Sequence, residues 1–430
     1  MKIIKNAYNS ISQTKRNVVT LFSGTLIAQG IVVTSSVFLA RIYDPTQFGI
    51  YSSYFSALMI LSPVICGKYE LSIILPKLHL EGFRLTILSI LISVIGSIFF
   101  LILFIPLGKY FEQLLKLPHG LPYNYLLPLG LCFLGINLAF NYWFNRIAMY
   151  KVLAINKITR SISVVILSVG FGLFGFKTSG LIVSDIVGYF LANCLLIYFF
   201  LKWKDFPIVW FEKSQTITIA QRYIRFPKYQ IASGFLEKIS QNAPFILIVL
   251  FYSVSIQGLF SMTFRVLAAP LVLITGSIGD VFQQKASELY AEDGQCYRLF
   301  ISTFRKLFAV SIIPFIILFF TVKSIFILVL GQQWAMSGEY AQILIAFFFF
   351  QFNVSHLSRM IIIAEKQHID LIIQFFLVVA VILSIWIGKK VFNSEKISIL
   401  LYSVVYIIKY IIEFMVSLNL SKGKYKLNTV

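Results

Sequence analysis

The stretch Arg222-Tyr223-Ile224-Arg225-Phe226-Pro227-Lys228-Tyr229, with the two apolar runs that follow it as far as Gln284, decides the fold. The runs are joined by the short turn Tyr252-Ser253-Val254-Ser255-Ile256-Gln257-Gly258, and each carries a cation deep inside it, Lys238 in the first and Arg265 in the second. A charge about nine residues from a helix end lies ~14 Å deep, near the middle of a ~30 Å hydrocarbon core. Such a charge is expensive in lipid, so it faces protein or water and is a functional candidate.

Composition agrees. Of 430 residues, 58% are hydrophobic and 13% charged, and the mean hydropathy is +0.85. A soluble domain carries about 25% charged residues, so this is an integral membrane protein. The net charge of +20 could serve nucleic acid, but the cations gather in short loops between apolar segments, which fits a membrane and gives no nucleic-acid partner. The four cysteines and four histidines are scattered, with no metal-ligand spacing, so neither a metal nor a cofactor is expected. Residues Met1 to Thr20 lack a signal-peptide pattern and read as a cytoplasmic lead into the first span.

Twelve runs have spanning length: Val18–Leu39, Phe48–Cys66, Leu85–Leu107, Tyr125–Phe144, Ile158–Phe176 and Leu181–Leu201, then Tyr229–Phe251, Gly258–Phe282, Leu307–Ile327, Ala341–Ile363, Leu371–Ile387 and Ile397–Leu420. The expected fold is an all-α polytopic membrane protein of about 12 transmembrane helices. Residues at span ends are counted with the adjoining loop. On that basis 26 of the 37 Lys and Arg fall in the termini and even-to-odd loops, and only 8 in the odd-to-even loops. The positive-inside rule then puts both termini in the cytoplasm.

Ser23-Gly24 and Phe48-Gly49-Ile50-Tyr51-Ser52 are echoed by Ser233-Gly234 and Gln257-Gly258-Leu259-Phe260-Ser261, about half a chain later. A weaker echo links Ala148-Met149-Tyr150-Lys151 with Ile363-Ala364-Glu365-Lys366. Six helices per half is an even number, so the halves insert in the same direction. They form an N-terminal lobe, 1–210, and a C-terminal lobe, 211–430, related by a pseudo-two-fold axis along the membrane normal, with a transport site expected where the halves meet.

Polar stripes mark the candidate substrate-binding residues. Gln230, Ser233, Gly234, Glu237 and Gln241 share one face of the seventh span, with Lys238 and Asn242 on its shoulder. In the eighth span Ser261, Arg265 and Thr275 share a face; the first offers Thr25, Gln29 and Ser36, and the fourth Asn137, Asn141 and Asn145. The set either lines a hydrated cavity or glues helices together by hydrogen bonds. Glu237 either joins the site or only neutralises Lys238, whereas Arg265 has no acid one turn away. Lys409 and Glu413, four residues apart, suit a structural pair. Asp280, Lys68 and Glu70 fall near inner span ends, where solvation is the default. Arg41, at the outer end of the first span, can snorkel to water. Gly170, Gly172 and Gly175 suit close helix packing. No P-loop, GxSxG or HExxH is present, and no loop has room for a catalytic domain, so an enzyme such as a polymerase or ligase is not expected.

Four motifs carry a resemblance. Ala40-Arg41-Ile42-Tyr43-Asp44-Pro45-Thr46-Gln47-Phe48-Gly49-Ile50-Tyr51 resembles the signature after the first helix of bacterial polysaccharide flippases of the O-antigen type. Arg225-Phe226-Pro227 is similar to their mid-chain Phe-Pro element, and Phe264-Arg265-Val266-Leu267-Ala268-Ala269-Pro270 to their eighth helix. Leu330-Gly331-Gln332-Gln333-Trp334 with Gly338-Glu339-Tyr340 resembles their Phe-Gly-x-x-Trp…Gly-x-Tyr element. The resemblance implies the multidrug/oligosaccharidyl-lipid/polysaccharide exporter fold, a V-shaped pair of lobes around a cationic cavity. It also implies a bacterial inner-membrane flippase whose substrate is an undecaprenyl-pyrophosphate-linked oligosaccharide, O-antigen or capsular. Membrane lipid and other glycan-assembly proteins would be its partners. The absence of an acid in the first span argues against a cation-coupled drug exporter, the nearest alternative on this fold. Twelve spans lack the extra pair of a peptidoglycan-precursor flippase.

Overall fold

The computed structural model describes residues 2–114, 116, 123–203 and 213–423, and among these no strand occurs. Of the side chains, those of residues 1–19, of Asp280, and of Ala269 and Pro270 in the eighth-span motif are outside what is described, and with them the expected interfacial place of Asp280. Apolar runs of this length form helices because lipid offers no partner for backbone N–H and C=O groups, which must pair within the segment.

The N-terminal half contributes α1 (Lys2–Ile42), α2 (Pro45–Ile65), α3 (His79–Leu114), α4 (Tyr123–Arg146), α5 (Tyr150–Leu173) and α6 (Lys177–Leu201). A short α7 (Lys213–Arg222) then leads through a π-helical turn (Phe226–Gln230) to α8 (Ile231–Phe251) and the 40-residue α9 (Val254–Asp293). The rest is α10 (Tyr297–Leu330), α11 (Ala335–Val354), α12 (Met360–Ile363), α13 (Gln367–Lys390) and α14 (Glu395–Ser421). Among the described residues ten helices are long and apolar enough to cross a membrane, and a bent pair, Gln332–Val354 with Leu357–Ile363, makes an eleventh. Val254–Ala268 is the apolar opening of α9. The protein is an all-α polytopic membrane protein.

The chain divides into two compact units, Met1–Tyr43 with Ile50–Lys238, and Asp44–Gly49 with Ile239–Val430. In the first, α1 packs on α5, α5 on α6, α6 on α4 and α4 on α3. Small residues bring these helices together, as at Gly24, where a methyl would overlap Ala154. The stacked rings of Phe83 and Phe200, 5.3 Å apart, with Trp143 edge-on to both, fill the end where α3, α4 and α6 meet. In the second unit α11 packs on α9, α10 and α14, and α14 on α13. Phe264 sits there among Phe245, Phe260, Phe347, Phe348 and Tyr402.

The duplication is visible in both packing and turns. The contacts α3–α4, α4–α6 and α5–α6 recur as α10–α11, α11–α14 and α13–α14. The turn before α5 and the turn before α13 are the same structure. In the first, the N–H groups of Ile147, Ala148 and Met149 donate to the carbonyls of Trp143, Asn145 and Phe144; in the second, those of Ala364, Glu365 and Lys366 donate to Met360, Ile362 and Ile361. Ala148 and Glu365 both take φ of 55°, an unusual left-handed conformation for residues other than glycine. The structure therefore pairs Ala148 with Glu365, two residues away from the register of the sequence echo.

Three expectations need correction. Glu70 is not a solvated interface residue: it is only 4% exposed. After α2 the chain reverses through Gly67 and Lys68, both at φ 60°, into a 3-10 helix (Tyr69–Ile74) that packs on α3 and α4. The span Ala341–Ile363 is not one helix but is broken after Val354 and bent by 46°. The loop expected from Lys202 to Lys228 contains, in its described part, α7 packed on α3, with the Tyr69 hydroxyl donating to the Ala220 carbonyl at 3.1 Å.

Candidate functional site

The face that Arg265 presents is set by its apolar neighbours. Phe260, Thr263 and Leu267 recur at helical spacing and are buried, and Phe264 beside them enters the aromatic cluster. Thr263 is tied to α11 through a hydrogen bond to the Ser337 carbonyl at 2.9 Å. At ~100° per residue, Ser261 and Arg265 then lie together on the adjacent face, and Arg265 is half-buried. The Ser261 and Thr275 hydroxyls donate back to Gly258 and Leu271, which leaves their lone pairs for a ligand.

On α8 the stripe divides. Ser240 is buried, with its hydroxyl 3.3 Å from Gln374 Oε1 and its carbonyl accepting from the Tyr406 hydroxyl at 3.1 Å, so that side of the helix is fixed to α13 and α14. Glu237 and Gln241 are exposed, and Lys238 and Asn242 half-buried. The reversal after α2 brings Lys68 to this stripe. Its Nζ lies 2.9 Å from where a Gly234 Cβ would stand, one turn before Lys238, because only glycine leaves room for it.

The first unit holds two cations within α5, Lys157, which the expected span Ile158–Phe176 leaves in the preceding loop, and Arg160, which stands two residues inside that span and is counted with the loop. Lys157 lies seven residues, ~10 Å, into α5, and Arg160 lies ~15 Å into it. Lys157 Nζ donates to Thr25 Oγ1 at 2.9 Å, which joins it to the Thr25–Gln29 stripe of α1, where Gln29 is half-buried. Arg160 Nη2 pairs with Asp185 Oδ1 at 3.0 Å and stacks 3.7 Å over the Tyr189 ring. The signal that could have found them was the turn ahead of α5, which moves the helix start back to Tyr150.

The remaining candidates spread out. Ser36 is buried and donates to its own helix, at the Val32 carbonyl. Asn137, Asn141 and Asn193 form a network between α4 and α6: Asn137 donates to Asn193 at 3.0 Å, Asn193 to the Phe133 carbonyl at 2.8 Å, and Asn141 to Asn137 Oδ1 at 2.8 Å. That is the helix-gluing alternative for Asn137. Arg41 is exposed at the end of α1, as snorkelling requires. Lys409 and Glu413 form the expected pair at 2.8 Å, 13% and 3% exposed. Of the three glycines expected at close helix contacts only Gly172 is one, where a methyl would overlap Ile42; nothing lies within 4 Å of a methyl at Gly170 or Gly175, and Gly175 instead turns the chain at φ 80°.

Solved structures share this fold. The lipid II flippase MurJ in an inward closed conformation is 12% identical, with a TM-score of 0.70 over 94% of this chain and 87% of its own. An inward-facing multidrug resistance MATE family transporter of the MOP superfamily is 13% identical, with a TM-score of 0.60 over 92% and 93%. A MOP superfamily transporter from Pyrococcus furiosus, described as having a binding pocket of reversed polarity, is 12% identical, with a TM-score of 0.57 over 96% and 97%. No curated protein matches the sequence. A family described as polysaccharide biosynthesis protein matches residues 38–339, about 70% of the sequence. On this match the chain belongs to the polysaccharide biosynthesis protein family.

Proposed function

We propose that this protein is a flippase, not an enzyme, which turns undecaprenyl-pyrophosphate-linked oligosaccharide, of O-antigen or capsular type, from the inner to the outer leaflet of the bacterial cell membrane. The observation that carries the reading is a polysaccharide-family chain with cations in its spans, Arg265, Lys238 and Lys157, each beside polar groups at helical spacing. A pyrophosphate carries charge through a medium in which a ~4 Å ion pair is worth several-fold more than in water, so fixed cations offset its desolvation. Ser261, Gln29, Gln241, Asn242 and Asn141 are placed in the reading as contacts to sugar hydroxyls, with Glu237 and Arg41 at the margins, while the prenyl tail stays in lipid. Transport follows alternating access, with the repeats 1–210 and 211–430 rocking and both termini cytoplasmic. Polymerase and chain-length proteins are the natural partners, since the product is their substrate class.

The test is surface glycan in a deletion strain carrying Arg265→Ala or Lys238→Ala. Loss of glycan at normal protein level is expected for both. Wild-type glycan in both rejects the reading. The similarity to a MATE transporter favours one alternative, export of small drugs. A drug-susceptibility panel on the deletion strain separates the two, because only an exporter changes it.

A further inference from the structure

We infer that Lys68 and Lys238 form a two-cation clamp in the first unit that tells a diphosphate from a monophosphate, with Gly234 as its positioning residue. This rests on the proposed function and adds a second cation for the diphosphate head group beside Lys238. The clamp begins at the turn after α2, where Gly67 and Lys68 both take φ of 60°. Glycine adopts that conformation freely, whereas lysine adopts it only under strain, and asparagine would suit it better. A strained residue persists where the surrounding structure has a use for the side chain it aims.

The Lys68 side chain is aimed at the backbone of α8. Its Cε and Nζ each lie 2.9 Å from the point that a Gly234 Cβ would occupy, and the Pro63 Cβ lies 3.4 Å from that point. Gly234 is buried, so any larger residue there would push the ammonium aside. Lys68 is half-buried, and among the described residues nothing pairs with its ammonium or accepts a hydrogen bond from it. The other covered cations of this unit are held by protein: Lys157 by Thr25, Arg160 by Asp185, and Arg146 by the carbonyls of Ile73 and Leu78. A partly desolvated ammonium without a partner is unfavourable, and a bound anion relieves it. Lys238 follows Gly234 by four residues, about 6 Å along the helix axis. A diphosphate carries charge on each of two linked phosphoryl groups and can meet both ammonium groups at once, whereas a monophosphate engages one. Gly234 lies only ~5 Å into α8, so the clamp stands at the start of the span, the end that the proposed orientation places among cytoplasmic head groups.

The test titrates the purified full chain, in lipid nanodiscs with empty nanodiscs as blank, with farnesyl diphosphate and farnesyl monophosphate, which share one tail. The wild type is expected to bind the diphosphate about tenfold more tightly, the worth of one further charge-assisted contact. Lys68→Asn is expected to lose that preference by weakening the diphosphate alone, and to melt no lower than wild type because asparagine suits the turn. Gly234→Ala is expected to lose the preference with both lysines present, since the methyl displaces only the end of the Lys68 side chain. Lys228→Asn, which removes an exposed charge held over the Tyr229 ring, is expected to keep it. An unchanged preference in Gly234→Ala overturns the clamp even where the Lys68 variant does not fold. So does an unchanged preference in Lys68→Asn, or an equal loss in Lys228→Asn, which would make the effect one of net charge; in these cases the flippase reading stands on the diphosphate that is still bound. A wild type that binds neither lipid overturns the clamp and that reading together.

Discussion

Gly258 packs directly on the backbone of Pro45, and the contact is reciprocal. A methyl on Gly258 would overlap the Pro45 carbonyl and stand 2.9 Å from Gly49 N, while one on Gly49 would overlap the Val254 carbonyl. Gly49 and Gly258 are equivalent in the sequence repeat, and Pro45 and Val254 stand at the same offset. Each residue therefore meets the counterpart of the other's partner, which is the geometry of a two-fold relation between the first turns of α2 and α9. The repeat constrains the chain here because two backbones occupy one contact and no side chain fits between them. Gly258→Val is expected to cost about 1–3 kcal/mol through overpacking, and Gly49→Val about the same. The check is the melting temperature in detergent, with Gly30→Val as control, since nothing lies within 4 Å of a methyl at Gly30.

Lys157 is expected to matter for transport as much as Arg265. Its partner hydroxyl, Thr25, already donates its proton to the Leu21 carbonyl at 2.9 Å, so the remaining lone pairs can accept the ammonium and hold it in place. The cation is therefore positioned by a neutral group, with its charge available to a ligand. Lys157→Met should lower surface glycan by about tenfold or more at normal protein level, the loss of ~1.4 kcal/mol of binding, and Lys157→Arg should retain most of it. Equal glycan in Lys157→Met and wild type would remove this residue from the site.

Arg146 is expected to be a stability residue rather than a transport residue. Its guanidinium donates to the carbonyls of Ile73, Ile74, Pro76 and Leu78, which closes the segment between the 3-10 helix and α3 onto the end of α4. Arg146→Met removes several charge-assisted bonds and leaves carbonyls unsatisfied, a loss of about 3 kcal/mol after allowing for partial solvent access. Faster proteolysis of the segment 73–78 in the variant would show it, and an unchanged digestion pattern would refute it.

What was legible in the sequence follows from period and length. The face of Arg265 could be read because Phe260, Phe264 and Leu267 repeat at helical spacing and fix the azimuth of α9. Lys157 was hidden by the same rule: counting apolar residues starts the fifth span at Ile158, but α5 begins at Tyr150, and Arg160, at the edge of that count, went with the loop. The turn that ends α4 carries no glycine or proline, because Ala148 takes the left-handed conformation itself. Asp185 gave no signal, as a lone acid in an apolar run shows its partner only when two helices are packed. Glu70 was misplaced because nothing in Gly67-Lys68-Tyr69-Glu70 says that the chain turns inward.

Glu70 offers a pH test that needs no substrate. Burial pushes its carboxyl up from the ordinary carboxylate range, against its own backbone hydrogen bond and the nearby Lys68, and Oε2 is buried with no partner among the described residues. The folded protein therefore holds a proton on Glu70 at pH values where the unfolded chain has released it. Where the native state binds more protons, stability falls as pH rises, so Glu70 costs stability through the window that opens at the unfolded carboxylate value and closes at the raised one. Above that window the cost is constant; below it the cost is absent. Glu70→Gln keeps the shape of the neutral acid without the titration. Its melting temperature should exceed that of wild type at neutral pH, and the difference should vanish on acidification below the ordinary carboxylate range. A variant less stable at neutral pH would show instead that the charged form of Glu70 is the one the fold uses, and a difference that persists in acid would show that the substitution acts through packing and not through titration.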